Sequence, residues 1–132
     1  MNAVQKRYIK AKAAYELATK QERQFELDFM AKKNIMDDDG NPARRVYEID
    51  NDELFDKVNA EYSAAVNESG ARDRYLKARD EFKDAERELL EFAFSVISKS
   101  MNDTRETLKH GAETNLKIRE KIIDAVLRLD TK

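Results

Sequence analysis

The chain has 132 residues, a length that favours one domain, and its 25 basic and 27 acidic residues leave a formal net charge of -2. This near balance excludes a global positive field that would attract nucleic acid, and the absence of cysteine excludes disulfide scaffolds and cysteine-ligated metal centres. Three glycines and one proline provide too little turn chemistry for a β-sandwich, a β-barrel or repeated βα units, so we expect an all-α fold.

The first predicted element is a helix over about residues 3–33, which contain no glycine or proline. Apolar or small residues recur there in steps of three and four, interrupted only by Glu22, at Val4, Tyr8, Ala11, Tyr15, Ala18, Phe25 and Phe29. Such a stripe is the seam that coiled coils and helical hairpins bury. We expect it to pack first against later helices of the same chain, and Glu22 either to face a lysine or arginine there or to mark where the seam opens.

The connection over 34–50 contains a dense run of turn formers, and either a short β-hairpin or an irregular loop fits its pattern. Part of this connection resembles the twelve-residue calcium loop of EF-hand proteins, over that loop only. The resemblance implies oxygen ligands for a divalent cation at its first, third, fifth and twelfth positions, which are Asp37, Asp39, Asn41 and Glu48. Because Pro42 stands where the family has glycine, our preferred interpretation is an acidic turn without a metal.

A long helix is predicted over about residues 51–99. At its start, Asp50 and Glu53 have the spacing of a capping box. Two apolar runs within it are out of phase, and the slip falls at residues 69–70. We prefer a distorted continuous helix to a break at that point.

Two shorter helices are predicted at the C-terminal end, over about residues 103–110 and 113–129. Asp103 and Glu106 again have capping-box spacing, and Gly111 is interpreted as the stop between the two helices.

The densest apolar stretch, residues 89–97, covers more than one helical face, and the last helix also has a broad apolar face. One neighbouring helix cannot cover both faces. We interpret the stretch as a central core segment that also offers a surface to a partner protein or to a second copy in a homodimer. The candidate interface residues are Leu90, Phe94, Ile97, Ile123 and Leu127.

The first turns of the chain are basic, with Lys6, Arg7 and Lys10 as candidates for phosphate contact. A solvated helix face is the simpler interpretation, because acidic residues are interspersed with the remaining cations. The only histidine, His110, lacks companions for a metal or acid-base site, and the sequence has no phosphate-binding glycine loop, nucleophile elbow or HExxH pair. We therefore expect no catalysis, no cofactor and no resident metal.

Together these patterns predict an elongated antiparallel helical hairpin or coiled-coil-like bundle with a shorter C-terminal helical element. The predicted function is a non-catalytic protein-protein interaction module: an adaptor, chaperone, assembly subunit or inhibitor. Two alternatives are a nucleic-acid-associated regulator that uses the basic N-terminal helix and a divalent-cation-binding protein that uses the 37–48 loop. No signal-peptide core or membrane-length apolar run is present, so we expect a cytoplasmic protein without a membrane partner.

Overall fold

The computed structural model describes residues 1–97 and 101–129. It confirms the predicted all-α fold, with 82% of the described residues helical. In chain order the helices of the described ranges are α1 (Ala3–Lys33), α2 (Asp52–Ser69), α3 (Ala71–Ser95), α4 (Asn102–Thr114) and α5 (Leu116–Leu127), with a short 3₁₀ helix at Val46–Glu48. Between residues 34 and 50 the β-pairing is one isolated antiparallel bridge, Met36 to Pro42, instead of a hairpin of strands.

Helix α1 begins and ends where the absence of breakers predicts. Asn2 and Gln5 form a reciprocal capping box: Gln5 N donates to Asn2 Oδ1 (2.9 Å) and Asn2 N donates to Gln5 Oε1 (2.7 Å). After Lys33 the chain leaves the helix through Asn34, whose φ of 53° is left-handed and whose N–H still reaches Met30 O (3.2 Å). Asparagine tolerates this conformation better than most residues, so it is suited to end the helix.

The chain divides into two compact units. We call residues Ala14–Arg79 the continuous unit, because they form one uninterrupted segment. We call Met1–Ala13 together with Asp80–Lys132 the discontinuous unit. Each unit has its own buried cluster of apolar side chains.

The core of the continuous unit joins the end of α1 to α2. Its most buried residues include Met30, Val58, Tyr62 and Val66, and Phe29 packs against them. The Phe29 and Tyr62 rings meet edge to face with centroids 5.5 Å apart. Full burial of a large apolar side chain stabilises the folded state by about 1.5–3 kcal/mol. This gain explains why the C-terminal half of the α1 stripe packs against α2.

The helix predicted over 51–99 is broken at Gly70, which corrects our preference for a continuous helix. Gly70 has φ 79° and ψ -2°, and its N–H donates to Asn67 O (3.2 Å), which ends α2 at Ser69. A left-handed residue without Cβ pays no steric penalty, and the resulting offset absorbs the phase slip between the two apolar runs. At its other end α3 stops at Ser95, and the prediction for residues 98 and 99 lies outside the described residues.

The start of α2 lies one residue later than its capping signal predicts. Asn51 is the N-cap, and its side chain accepts a hydrogen bond from Leu54 N (2.9 Å). Asp50 instead uses its carboxylate to accept from Asp38 N (2.9 Å), within the preceding loop. Asp50 and Asn51 are both residue types that cap helices well, and the hydrogen bond of Asp50 within the loop leaves Asn51 as the cap.

The core of the discontinuous unit joins the start of α1, the second half of α3 and helix α5. Its buried residues are Tyr8, Leu89, Ala93, Ile123 and Val126. Tyr8 also packs on Phe82, with ring centroids 5.6 Å apart.

The predicted stop at Gly111 is wrong, because α4 continues through it to Thr114. A Cβ at Gly111 would lie 3.0 Å from Ile118 Cγ2, so the missing side chain permits close packing of α4 on α5. The turn comes at Asn115, whose Oδ1 accepts from Lys117 N (3.0 Å) and Ile118 N (3.2 Å). At the other end Met101 is the N-cap without a side-chain bond, so Asp103 lies inside the first turn and does not cap it.

Candidate interaction groove

A groove of about 360 Å³ lies between α3 and the α4–α5 pair in the discontinuous unit. Its apolar lining comes from Leu90, Phe94 and Ala112. Leu90 and Phe94 are half-buried, while Ala112 is 2% exposed. The groove is large enough to receive one or two apolar side chains of another molecule.

Neighbouring faces of α3 explain why these apolar residues are left at a surface. Leu89 and Ala93 point into the core, with 0% and 7% of their surface exposed. Leu90 and Phe94 follow each of them by one residue and so lie about 100° further around the helix. The two-faced apolar pattern of residues 89–97 therefore places Leu89 and Ala93 in the core and Phe94 in the groove, while Leu90 contacts both.

Seven ionisable side chains surround this apolar lining, four cationic and three anionic: Lys83, Arg87, Lys109, Arg119, Glu86, Glu91 and Glu113. Arg119 Nη1 lies 3.8 Å from Glu86 Oε1, and Lys109 Nζ lies 5.8 Å from the centre of the Phe94 ring. Such exposed pairs contribute little to stability, but they restrict which charges a bound partner can present.

The five candidate interface residues therefore fall in three places. Leu90 and Phe94 line the groove, and Leu90 also packs against the core cluster of this unit. Ile123 is 5% exposed in the core, and Leu127 packs against that core. Ile97 follows the end of α3, where its carbonyl accepts from the Arg105 guanidinium. A broad apolar face on α5 predicts contact, but the pattern cannot tell an internal contact from an external one.

Glu22 in the α1 stripe faces a cation, as expected. Its Oε1 lies 3.2 Å from Arg72 Nε on α3. A cleft of about 190 Å³ beside this pair is also lined by Tyr62 and Tyr75. Burial raises the pKa of Tyr62, and the hydrogen bond with Tyr15 raises that of Tyr75, so both hydroxyls are held in the neutral form.

Two buried polar residues were not anticipated from the sequence. Glu26, 8% exposed, accepts from Arg45 Nε (2.6 Å) through one oxygen and from Val46 N (3.0 Å) through the other. Gln5, fully buried, donates through Nε2 to Val126 O (2.8 Å) and Leu129 O (3.1 Å) at the end of α5. The spacing of Asn2 and Gln5 signals a capping box, but nothing in the pattern indicates the link to α5.

The acidic loop uses its carboxylates within its own turns. Asp37 Oδ1 accepts from the backbone N–H of Asp39 (3.0 Å) and Asn41 (2.9 Å). Glu48 Oε2 accepts from Arg44 N (2.8 Å). Across residues 1–97 and 101–129, no group of three or more histidine, cysteine, aspartate or glutamate side chains is placed to hold a metal ion.

The three basic side chains of the first turns differ in their surroundings: one pairs with α3 and two face solvent. Arg7 pairs with Glu88 (2.6 Å) and Glu81 (2.8 Å), and hydrogen bonds to these two carboxylates raise its pKa. Lys6 and Lys10 are exposed. Among the helices of the described residues, none is long and apolar enough to cross a membrane.

Comparison with protein-family models, with curated proteins and with solved structures found no match for this chain.

Proposed function

We propose that the protein is a non-catalytic protein-protein interaction module whose contact surface is the groove between α3 and α4. The observation that carries this proposal is the pair Leu90 and Phe94, which leave apolar surface in a groove of about 360 Å³ although the adjacent Leu89 and Ala93 fill the core. Apolar side chains partly exposed inside a concave surface gain free energy when a partner covers them.

The charged surroundings of the groove fit an amphipathic helix as the bound element. Such a helix places apolar side chains three and four residues apart into the groove and leaves its polar flanks against the rim. The four cations and three anions of the rim would select the charges on those flanks, while Phe94 and Leu90 would supply most of the affinity.

Site-specific photocrosslinking in the native cell tests this proposal. A benzophenone amino acid replaces Phe94 in one variant and Leu17, a 57% exposed residue of α1, in the control variant. We expect a discrete adduct with another polypeptide from position 94 and none from position 17. Adding Leu90→Ala to the first variant should reduce the adduct yield about fivefold or more, the effect of losing one good contact residue.

The outcomes of the crosslinking experiment separate a real site from general stickiness. Equal adducts from both positions, no adduct from position 94, or a yield that Leu90→Ala leaves unchanged would each refute the proposal. Circular dichroism of the Leu90→Ala variant verifies that the helices remain folded.

The proposal includes self-association and a cytoplasmic setting. A second copy of the chain is the simplest polypeptide to cover an apolar groove, since every molecule presents both a groove and helices. Light scattering at rising concentration should then pass from the 15.4 kDa monomer mass to twice that value. A constant monomer mass would leave only an unrelated polypeptide as the partner, and cell fractionation tests the location.

A further inference from the structure

We propose that a second cleft, at the C-terminal end of α1 in the continuous unit, binds the C-terminal residue of a partner polypeptide through its apolar side chain and its free carboxylate. The cleft has a volume of about 330 Å³. Leu90 and Phe94 belong to the other unit and do not line this cleft, so this inference goes beyond the proposed function.

The cleft is formed where the chain reverses after α1. The left-handed Asn34 ends the helix, and the following segment folds back so that Ala43 N donates to Ile35 O (2.7 Å). The Met36–Pro42 bridge then closes the loop. This reversal leaves a short space between the end of the helix and the returning segment.

Most of the cleft lining is apolar, from Leu27, Met30, Ala31, Ile35, Pro42 and Ala43. Met30 and Ala43 are 1% and 3% exposed, so the deep part of the lining is fixed by the core. A space of this size, with mostly apolar walls, is suited to a single apolar side chain with its neighbouring backbone.

The polar groups of the cleft are Asn34 and Arg44. Arg44 is the only charged residue of this lining in the described part of the chain, and its guanidinium makes no hydrogen bond or ion pair there. The nearby acid Glu48 is used differently, because its Oε2 accepts from the backbone N–H of Arg44.

An unpaired guanidinium beside an apolar cleft is complementary to an apolar group that carries a carboxylate. A C-terminal residue has this combination on one Cα, and a guanidinium binds a carboxylate through two parallel hydrogen bonds. The Asn34 amide can donate to the same carboxylate or pair with the preceding peptide group. By contrast, the first groove carries seven charges of mixed sign and lacks this selectivity for one anion.

The test is a titration of the isotope-labelled full chain by NMR, with the peptide N-acetyl-Gly-Ser-Gly-Leu as the probe. We expect saturable shifts of the amide signals of Ile35 and Ala43 with the free acid. The same peptide with an amidated C-terminus should bind at least about tenfold more weakly, since it has lost the charge-assisted hydrogen bonds.

Two variants and one further ligand make the result decisive. Arg44→Gln should weaken binding of the free acid about tenfold, whereas Arg23→Gln, at another exposed arginine of the same unit, should leave it unchanged. Equal binding of acid and amide, equal effects of the two variants, or no shifts at millimolar peptide would overturn the proposal. Octanoate binding more tightly than the peptide would also overturn it, in favour of a fatty acid.

Discussion

Among the described residues, each of the two units buries one polar side chain, and the environments of these two side chains differ. Gln5 in the discontinuous unit is 0% exposed and forms hydrogen bonds with backbone groups of Asn2, Val126 and Leu129. Glu26 in the continuous unit keeps 8% exposure and meets both an arginine and a backbone N–H. A neutral amide can be removed from water completely once its hydrogen bonds are made, whereas a carboxylate also requires a compensating charge.

The difference shows what each buried group organises. Glu26 fixes the loop, because its two oxygens hold Arg45 and the first N–H of the 3₁₀ helix beside α1. Gln5 fixes a helix end, because its amide donates to Val126 O in the last turn of α5 and to Leu129 O just beyond that helix. Substitution of either residue removes these hydrogen bonds, and the resulting loss of stability tests the comparison.

The largest effect is expected for Glu26→Ala, which should lower the free energy of unfolding by about 2–3 kcal/mol. The variant strands the buried Val46 N–H and leaves Arg45 without its carboxylate. The side chain of Arg45 remains 33% exposed, so water compensates part of the lost pairing. Urea denaturation measures the change, with Glu16→Ala, at an exposed glutamate of α1, as the matched control. A loss as small as that of the control would show that the ion pair does not organise the loop.

Gln5→Ala should cost less, about 1–2 kcal/mol, because it removes hydrogen bonds to backbone carbonyls and Val126 O keeps the N–H of Leu129 as a partner. Its effect should also be local: amide hydrogen exchange should accelerate in the last turn of α5 before it does elsewhere in the chain. Gln21→Ala, at an exposed glutamine of the same helix, is the control and should change stability by less than about 0.5 kcal/mol. A uniform acceleration of amide hydrogen exchange over all helices would contradict a stabilising contact confined to α1 and α5.

The smallest effect is expected at Tyr62, where pH can create the charge that the core excludes. Burial raises the Tyr62 pKa above its ordinary value of 10.0. The contribution of the neutral Tyr62 side chain to the free energy of unfolding is therefore fully present below pH 10. Above that pH the unfolded chain loses its tyrosine proton first, and stability falls as pH rises through the folded-state pKa. Tyr62→Phe should therefore show a shallower alkaline loss of stability than the wild type, while Tyr47→Phe, at a 73% exposed tyrosine, should not. Identical alkaline curves for wild type and Tyr62→Phe would contradict this assignment.

Periodicity and helix breakers predict much of the fold. The limits of α1 and the cation facing Glu22 follow from a stripe that is apolar at every step except one. Capping residues were less decisive, because Asp50 and Asn51 are both good caps and only the loop contacts of Asp50 select between them. Gly111 has the composition signal of a helix stop, but a stop requires positive φ, and a close approach of helices requires only the missing Cβ.

The candidate site was predictable only in part, for a similar reason. Residues 89–97 signal two apolar faces, and the groove contains two of the five residues selected from such faces, Leu90 and Phe94. The remaining apolar residues of α5 went into the core, because the pattern of one helix does not show which other helix covers it. Glu26 is a charged residue outside the apolar stripe of α1, and its burial depends on a loop that begins eight residues later.

The hydrogen bonds of Gln5 also determine when each part of the protein can fold. The contact from Gln5 to Val126 spans 121 positions, whereas the continuous unit uses only residues 14 to 79. During synthesis the continuous unit has all of its residues once Arg79 has emerged, while the first thirteen residues still lack the helices that bury Tyr8 and Gln5. Long-range closure comes late because its entropic cost precedes its contacts. The N-terminal turns of α1 therefore become buried only after α5 has been synthesised.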